Sequence, residues 1–274
     1  MADKLKIGIV GCGAIGKSLA KAIVKDFAQA AKLVAFYDVD PQAAIKAARR
    51  VSLSKNTPVE SLMQLIDRSE LVIEAASAKS SWEIARKTIL RRKDIMIMSV
   101  GGITHHAREL HALAKKYNVK VYIPSGALSG IDALKAAKID TIKKVVLTTR
   151  KNPRAFSNVA FVAQKNIPLT RLKKDKVLFS GSAQEAVRYF PQNINVAALL
   201  GLAGIGEVKT QVKIIASPRV TKNIHEVTVI SDAATIVTRT ENILHPENPK
   251  TSFLAVLSAI ATLKQIFEPI KIGT

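Results

Sequence analysis

Residues 6 to 23, "KIGIVGCGAIGKSLAKAI", constrain the fold more than any other stretch of this chain. An apolar run ends in glycines and passes at once into a helical pattern, which is how a βαβ unit begins. Gly11, Gly13 and Gly16 spell G-x-G-x-x-G, the turn that holds a dinucleotide pyrophosphate. Gly11, Gly16, Lys17 and Ser18 also spell G-x-x-x-x-G-K-S, the phosphate loop of triphosphate-binding proteins. The motif by itself leaves both ligands open.

Residues further along decide between them. In a dinucleotide turn the first glycine permits the bend, the second lets backbone approach the pyrophosphate, and the third allows close helix–strand packing. Ala14 and Ile15 then open the helix, whose N-terminal N–H groups and dipole favour phosphate. The next strand, "LVAFYD", ends in Asp38, 22 positions after Gly16. A carboxylate there hydrogen-bonds an adenosine ribose. A triphosphate enzyme needs Mg²⁺ ligands and usually an acidic residue after a later strand. The later strands end instead in "EAAS" and "MSVGG", and the small Ala76 and Ser77 leave room for a nicotinamide ring and ribose. The sequence therefore favours a dinucleotide, and Lys17-Ser18 becomes a coincidence on the first helical turn. The charge of Asp38 repels a 2′-phosphate, which favours NAD, with NADP possible because basic residues lie nearby.

Strand and helix alternate through the first 123 residues, as in an α/β Rossmann domain with a doubly wound parallel sheet. The first helix is expected from Ala14 to about Ala30. Asp40 caps the next, with Pro41 at its first position. Thr57, Pro58 and Glu60 read as a capping box, and Thr104 as the cap of "HHARELHALAKKY". The pattern changes after "PSGALSG" (124 to 130). "TIKKVVLTTR", "VKTQVKIIAS", "IHEVTVIS" and "ATIVTRT" are strands with helical candidates among them, an α+β arrangement with a mainly antiparallel sheet. "NPKTSFLAVLSAIATLKQIF" contains an apolar helix of about 15 residues, expected to pack back on the first domain, with Asn248 to Thr251 as its turn and cap. These readings divide the chain into a dinucleotide-binding domain over 1–124, completed by about 248–274, and a substrate and dimerisation domain over 125–247.

Composition narrows the function classes. A single cysteine, Cys12, excludes an internal disulfide and a thiolate zinc cluster, so no metal site is expected. No apolar run is long enough to span a bilayer, and the chain enters its first strand directly, so the expected address is the cytoplasm. The formal charge of +21 raises nucleic-acid binding, but the basic residues are spread along helices and strands with little aromatic interleaving. A basic surface that attracts small anions fits better.

Of the five histidines, His105, His106 and His111 share one charged helix and read as a solvated face, and His245 precedes a proline in a loop. His225, in "TKNIHEVTVIS", alternates with Val227 and Val229 on one strand face. Spacing alone leaves it divided between packing and catalysis. Cys12 lies inside the phosphate turn, which argues against a cysteine nucleophile and for direct hydride transfer with a separate base.

The set "GCGAIG", "PSGALSGIDAL", "FPQNINVAALLGLAG", "NIHEV" and "ENPKTSFLA" resembles the L-aspartate dehydrogenase family over nearly the whole chain. The resemblance implies NAD(P)-dependent oxidation of L-aspartate to iminoaspartate, feeding de novo NAD synthesis, by a homodimer. By the same resemblance His225 matches the catalytic histidine, and Ala127 and Asn195 match cofactor-contacting positions. Taken alone, Asn195 also reads as a helix N-cap. Two substrate carboxylates call for cationic partners. Lys222, Arg219, Arg239 and Lys250 qualify by location, and nothing in the sequence selects among them. Three rival readings remain: a related two-domain dicarboxylate reductase, a non-catalytic NAD-sensing or nucleic-acid-binding protein, and an ATP-dependent protein whose Mg²⁺-linked ATP binding would need Lys17.

Overall fold

The computed structural model describes residues 3–51, 57–190 and 194–273, with the side chains of 194, 249 and 250 outside that description. The chain forms two compact units: residues 1–124 with 256–271, and residues 125–255 with 272–274.

In the first unit β1 (Leu5–Val10), β2 (Ala31–Tyr37), β3 (Leu71–Glu74), β4 (Asp94–Ile97) and β5 (Val121–Tyr122) form a parallel sheet in the order β2-β1-β3-β4-β5. Helices cover both faces because the strands are apolar on both. On one side Ile7, Ile9, Leu71 and Ile73 pack with Leu19 and Ile23 of α1 (Ala14–Lys25) and with the alanines of α2 (Pro41–Arg50). On the other, Gly8 lets α3 (Leu62–Arg68) lie so close that a Cβ would fall 2.2 Å from Ser69 Oγ. α4 (Ala78–Leu90) and α5 (Ala107–Tyr117) complete the alternation. The last helix, α10 (Phe253–Phe267), sends Ala259 and Leu263 into the same core, and Phe267 meets Phe27 at a ring distance of 5.5 Å.

Several local expectations are corrected. α1 stops at Lys25, because the chain must reverse over 26–30 to start β2 beside β1. Asp40 does cap α2, accepting from the Gln42 N–H at 2.9 Å. Thr57 and Pro58 do not form a capping box. They bridge Phe36 as a rudimentary edge strand, where proline's missing N–H costs nothing, and Ser61 caps α3 instead. Thr104 opens a 3₁₀ turn rather than capping α5, and its hydroxyl donates to the Gly101 carbonyl.

The second unit is α+β. After α6 (Ile131–Ala137), β6 (Ile142–Lys151), β7 (Lys176–Ser182), β8 (Gln211–Ala216), β9 (Asn223–Ser231) and β10 (Thr235–Asn242) form a sheet in the order β10-β9-β6-β8-β7. Only the central β6–β8 pair is parallel. The crossover between them carries α7 (Ala160–Gln164), edge strand β7, α8 (Ala183–Tyr189) and α9 (Ile194–Ala203). Phe156, Phe161, Phe179 and Phe190 cluster there, with ring centroids 5.4 to 6.2 Å apart. β11 (Leu244–His245) and β12 (Asn248–Ser252) form a hairpin, so Asn248 to Thr251 belong to a strand and Thr251 is not a helix cap.

Candidate active site

Gly11, at the end of β1, donates its N–H to the Tyr37 carbonyl at 2.8 Å and turns at φ +96. A Cβ there would lie 2.4 Å from the Ala75 carbonyl oxygen, so the turn and the β3 loop touch backbone to backbone. Gly16 packs on the turn from the helix side, where a Cβ would stand 2.0 Å from the Gly11 oxygen. Gly13 differs from both. It has an ordinary φ of −71, and nothing lies within 4 Å of where its Cβ would be. It caps α1 without a side chain, leaving the first N–H groups of Ala14 and Ile15 for a ligand.

The sheet order reverses between β2-β1 and β3, the place where open α/β sheets bind ligands. There a cleft of about 840 Å³ is lined by Gly11, Gly13, Asp38, Ala76, Ser77 and Lys79 among others. The Asp38 carboxylate accepts from the Cys12 N–H at 2.7 Å and the Asp40 N–H at 3.0 Å, tying the glycine turn to the loop after β2. Burial, and then Asp38, push the Cys12 thiol up to about 12, so it is no nucleophile. Five of the cofactor positions read from sequence, Gly11, Gly13, Asp38, Ala76 and Ser77, thus share one cleft, with Ala14, Ile15 and Gly16 directly behind them. The site fits a dinucleotide, since the space at Gly13 is the space a Cβ would fill.

Glu74 escaped the sequence reading. It is fully buried at the end of β3, and its oxygens accept from the Ala76 N–H and the Ser99 N–H, both at 2.9 Å. Burial raises its pKa against those hydrogen bonds. The carboxylate thereby joins the loops after β3 and β4. Its signal was an acid at the end of an otherwise apolar strand, hidden because "EAAS" draws attention to its small residues.

In the second unit the inward face of the sheet is apolar at one end and polar at the other. Val145 and Leu147 of β6 pair with Val229 and Val227 of β9, and one pair further on Thr149 meets His225. Both are buried, with Thr149 Oγ1 and His225 Nδ1 3.0 Å apart. Thr240 flanks His225 from β10. Lys151, two residues after Thr149 and so on the same face, is 9% exposed. Burial lowers its pKa to about 8. Burial first, and then the nearby Lys151 ammonium, lower that of His225 to about 3, so the imidazole is neutral at physiological pH.

Ala127, in the loop before α6, is buried, and its carbonyl accepts from Asn242 Nδ2 at 3.1 Å. Asn242 Oδ1 is buried with no hydrogen-bond partner among the described residues. Asn195 is exposed in the first turn of α9; Pro191 to Asn193 of the same motif lie outside the described residues. Of the cations considered from sequence, Arg239 and Lys222 belong to a surface network with Glu226 and Glu241. Arg219 is exposed, and the side chain of Lys250 lies outside the described residues. Lys151 was missed, although "VVLTTRK" carries the signal: the alternation of inward residues ends on a lysine. His106 stacks on Trp82 at 4.3 Å, while His105 and His111 are exposed, as expected of a solvated face.

Comparison with known proteins matches both units. The family model described as "Aspartate dehydrogenase, C-terminal" covers residues 132–266, and "Homoserine dehydrogenase, NAD binding domain" covers residues 11–124. The chain is 44% identical to an L-aspartate dehydrogenase of Methanococcoides burtonii, over 98% of this chain and 100% of the relative. It is 42% identical to one of Methanosarcina mazei, with the same coverage. A crystal structure of aspartate dehydrogenase from Thermotoga maritima superposes with a TM-score of 0.74 at 26% identity, over 99% of this chain and all of that one.

Proposed function

The chain belongs to the L-aspartate dehydrogenase family, and from that premise we propose that it oxidises L-aspartate to iminoaspartate with His225 as the acid–base group, as the first step of a route to NAD. It is an oxidoreductase whose first unit is an NAD-binding domain. NAD supplies the acceptor for the hydride that leaves Cα, and Gly11, Gly13, Ala14, Ile15, Gly16, Asp38, Ala76 and Ser77 hold it, with Ala127 and Asn195 as further contacts.

Loss of hydride from Cα leaves a neutral imine only if the substrate ammonium also gives up two of its three protons, the first to solvent and the second to a base in the site. The observation that carries the reading is a buried imidazole whose Nδ1 lies 3.0 Å from the Thr149 hydroxyl, so that one ring nitrogen is held and the other is left for chemistry. With Nδ1–H donating to the Thr149 hydroxyl oxygen, Nε2 keeps its lone pair and takes a proton from the substrate amine, or from a water that attacks the imine. Thr149 holds the ring in that tautomer.

A steady-state assay with L-aspartate, L-alanine and L-glutamate against NAD and NADP tests the proposal. The expected result is aspartate-dependent reduction with NAD as the better acceptor; none with either cofactor rejects the activity. His225→Ala is expected to lose on the order of 10² to 10⁴ in turnover while binding NADH as before. Full activity in that variant would remove the histidine from the mechanism.

A further inference from the structure

We propose that Glu74 is the positioning residue that sets how tightly the first unit holds the nicotinamide half of NAD, by fixing the two loops that follow β3 and β4. The inference rests on the cofactor assignment of that unit and goes beyond the proposed reaction, no step of which involves Glu74.

The parallel ladder of β3 and β4 ends at the pair Glu74 and Ile97. Just past it the Met98 N–H still donates to the Glu74 carbonyl at 2.9 Å, and the Ala75 N–H to the Val10 carbonyl at 2.8 Å. The N–H groups of Ala76 and Ser99, next along each strand, turn instead to the two carboxylate oxygens of Glu74, at 2.9 Å each. One side chain thus continues the pairing where the main chains diverge. A carboxylate suits this place because both its oxygens accept, whereas an amide would turn an NH₂ group on one of the two donors. Packing does not call for an acid here: Leu71, Val72 and Ile73 before it are buried and apolar, and a buried carboxyl is favourable only for the hydrogen bonds it makes.

Both loops lead to the cofactor cleft. Ala75, Ala76 and Ser77 line it, and the Ala75 carbonyl abuts Gly11 of the glycine turn. The Ser99 carbonyl accepts from Ser81 Oγ of α4 at 3.0 Å, and a Cβ on Gly102 would overlap the Ala78 carbonyl oxygen. The second loop is therefore seated on α4, whose Lys79 and Ser80 also line the cleft. An open α/β sheet takes a dinucleotide as two mononucleotides on either side of the switch in strand order. Asp38 marks the β2 side for the adenosine, which leaves the β3 side to the nicotinamide half. Loops fixed beforehand need no ordering when that half binds.

Fluorescence titration with NADH and calorimetry with ADP, on wild type and on Glu74→Gln, test the inference. ADP carries the adenosine and the pyrophosphate without the nicotinamide half. The expected result is about ten-fold weaker NADH binding in the variant, with ADP affinity unchanged. Unchanged NADH affinity overturns the inference. So does an equal loss for both ligands, which would make Glu74 a residue of general stability alone. A wild type that binds no NADH overturns it together with the cofactor assignment, whereas one that binds NADH but oxidises no aspartate overturns the aspartate-oxidising reading alone. If Glu74→Gln does not fold, Glu74→Asp replaces it with the same outcomes, since the shorter stem carries the oxygens away from at least one N–H.

Discussion

His225 links local chemistry to stability. In the unfolded chain an imidazole takes up its proton near pH 6.5, whereas the folded one, buried beside Lys151, waits until about pH 3. Between those values the unfolded state binds more protons, so acidification through the window lowers stability, and the loss ends below about pH 3. The slope is at most about 1.4 kcal/mol per pH unit. Denaturant midpoints measured from pH 6.5 to 5 are expected to fall more steeply for wild type than for His225→Asn. Parallel slopes would contradict a neutral buried imidazole. The sequence showed that His225 alternates with valines, and alternation alone cannot separate a packed histidine from a working one. The groups beside it, the Thr149 hydroxyl and the Lys151 ammonium, both come from a strand more than 70 residues away.

At the scale of elements, the glycine turn separates folding from binding. Gly16 is pressed against the Gly11 carbonyl, whereas Gly13 faces open space with an ordinary φ. Gly16→Ala is expected to lower the melting temperature or prevent folding. Gly13→Ala is expected to melt like wild type yet bind NADH at least ten-fold more weakly, because its methyl occupies ligand space. Fluorescence titration with thermal melts on both variants checks this, and undiminished NADH affinity in Gly13→Ala would mean the pyrophosphate lies elsewhere. The turn was legible because each glycine has a local reason to be glycine. The pairing of Thr57 and Pro58 with β2 was not, since "TPVE" satisfies a capping pattern equally well and an edge bridge is visible only once Phe36 is beside it.

For the whole molecule, the +21 charge has a measurable consequence. A positive field raises the local concentration of an anionic substrate and is screened by salt. The apparent KM for aspartate is expected to rise between 50 and 500 mM salt, and weak retention on DNA at low salt to vanish over the same range. A salt-independent KM would assign the charge to something other than substrate attraction. The homodimer implied by family resemblance predicts a sedimentation mass near twice 29.6 kDa. The alternation of strands and helices in the first unit, the glycine turn with its partner Asp38, and the strand face that His225 shares with Val227 and Val229 were determined by the sequence, because each depends on periodicity or on residues close along the chain. Edge strand β7, α7 and the β11–β12 hairpin were not read from it. Which inward residues meet was decided by tertiary structure alone. Register between β6 and β9 is a property of the assembled sheet, and it sets Thr149 against His225 with Lys151 one step beyond, a grouping that no local pattern encodes.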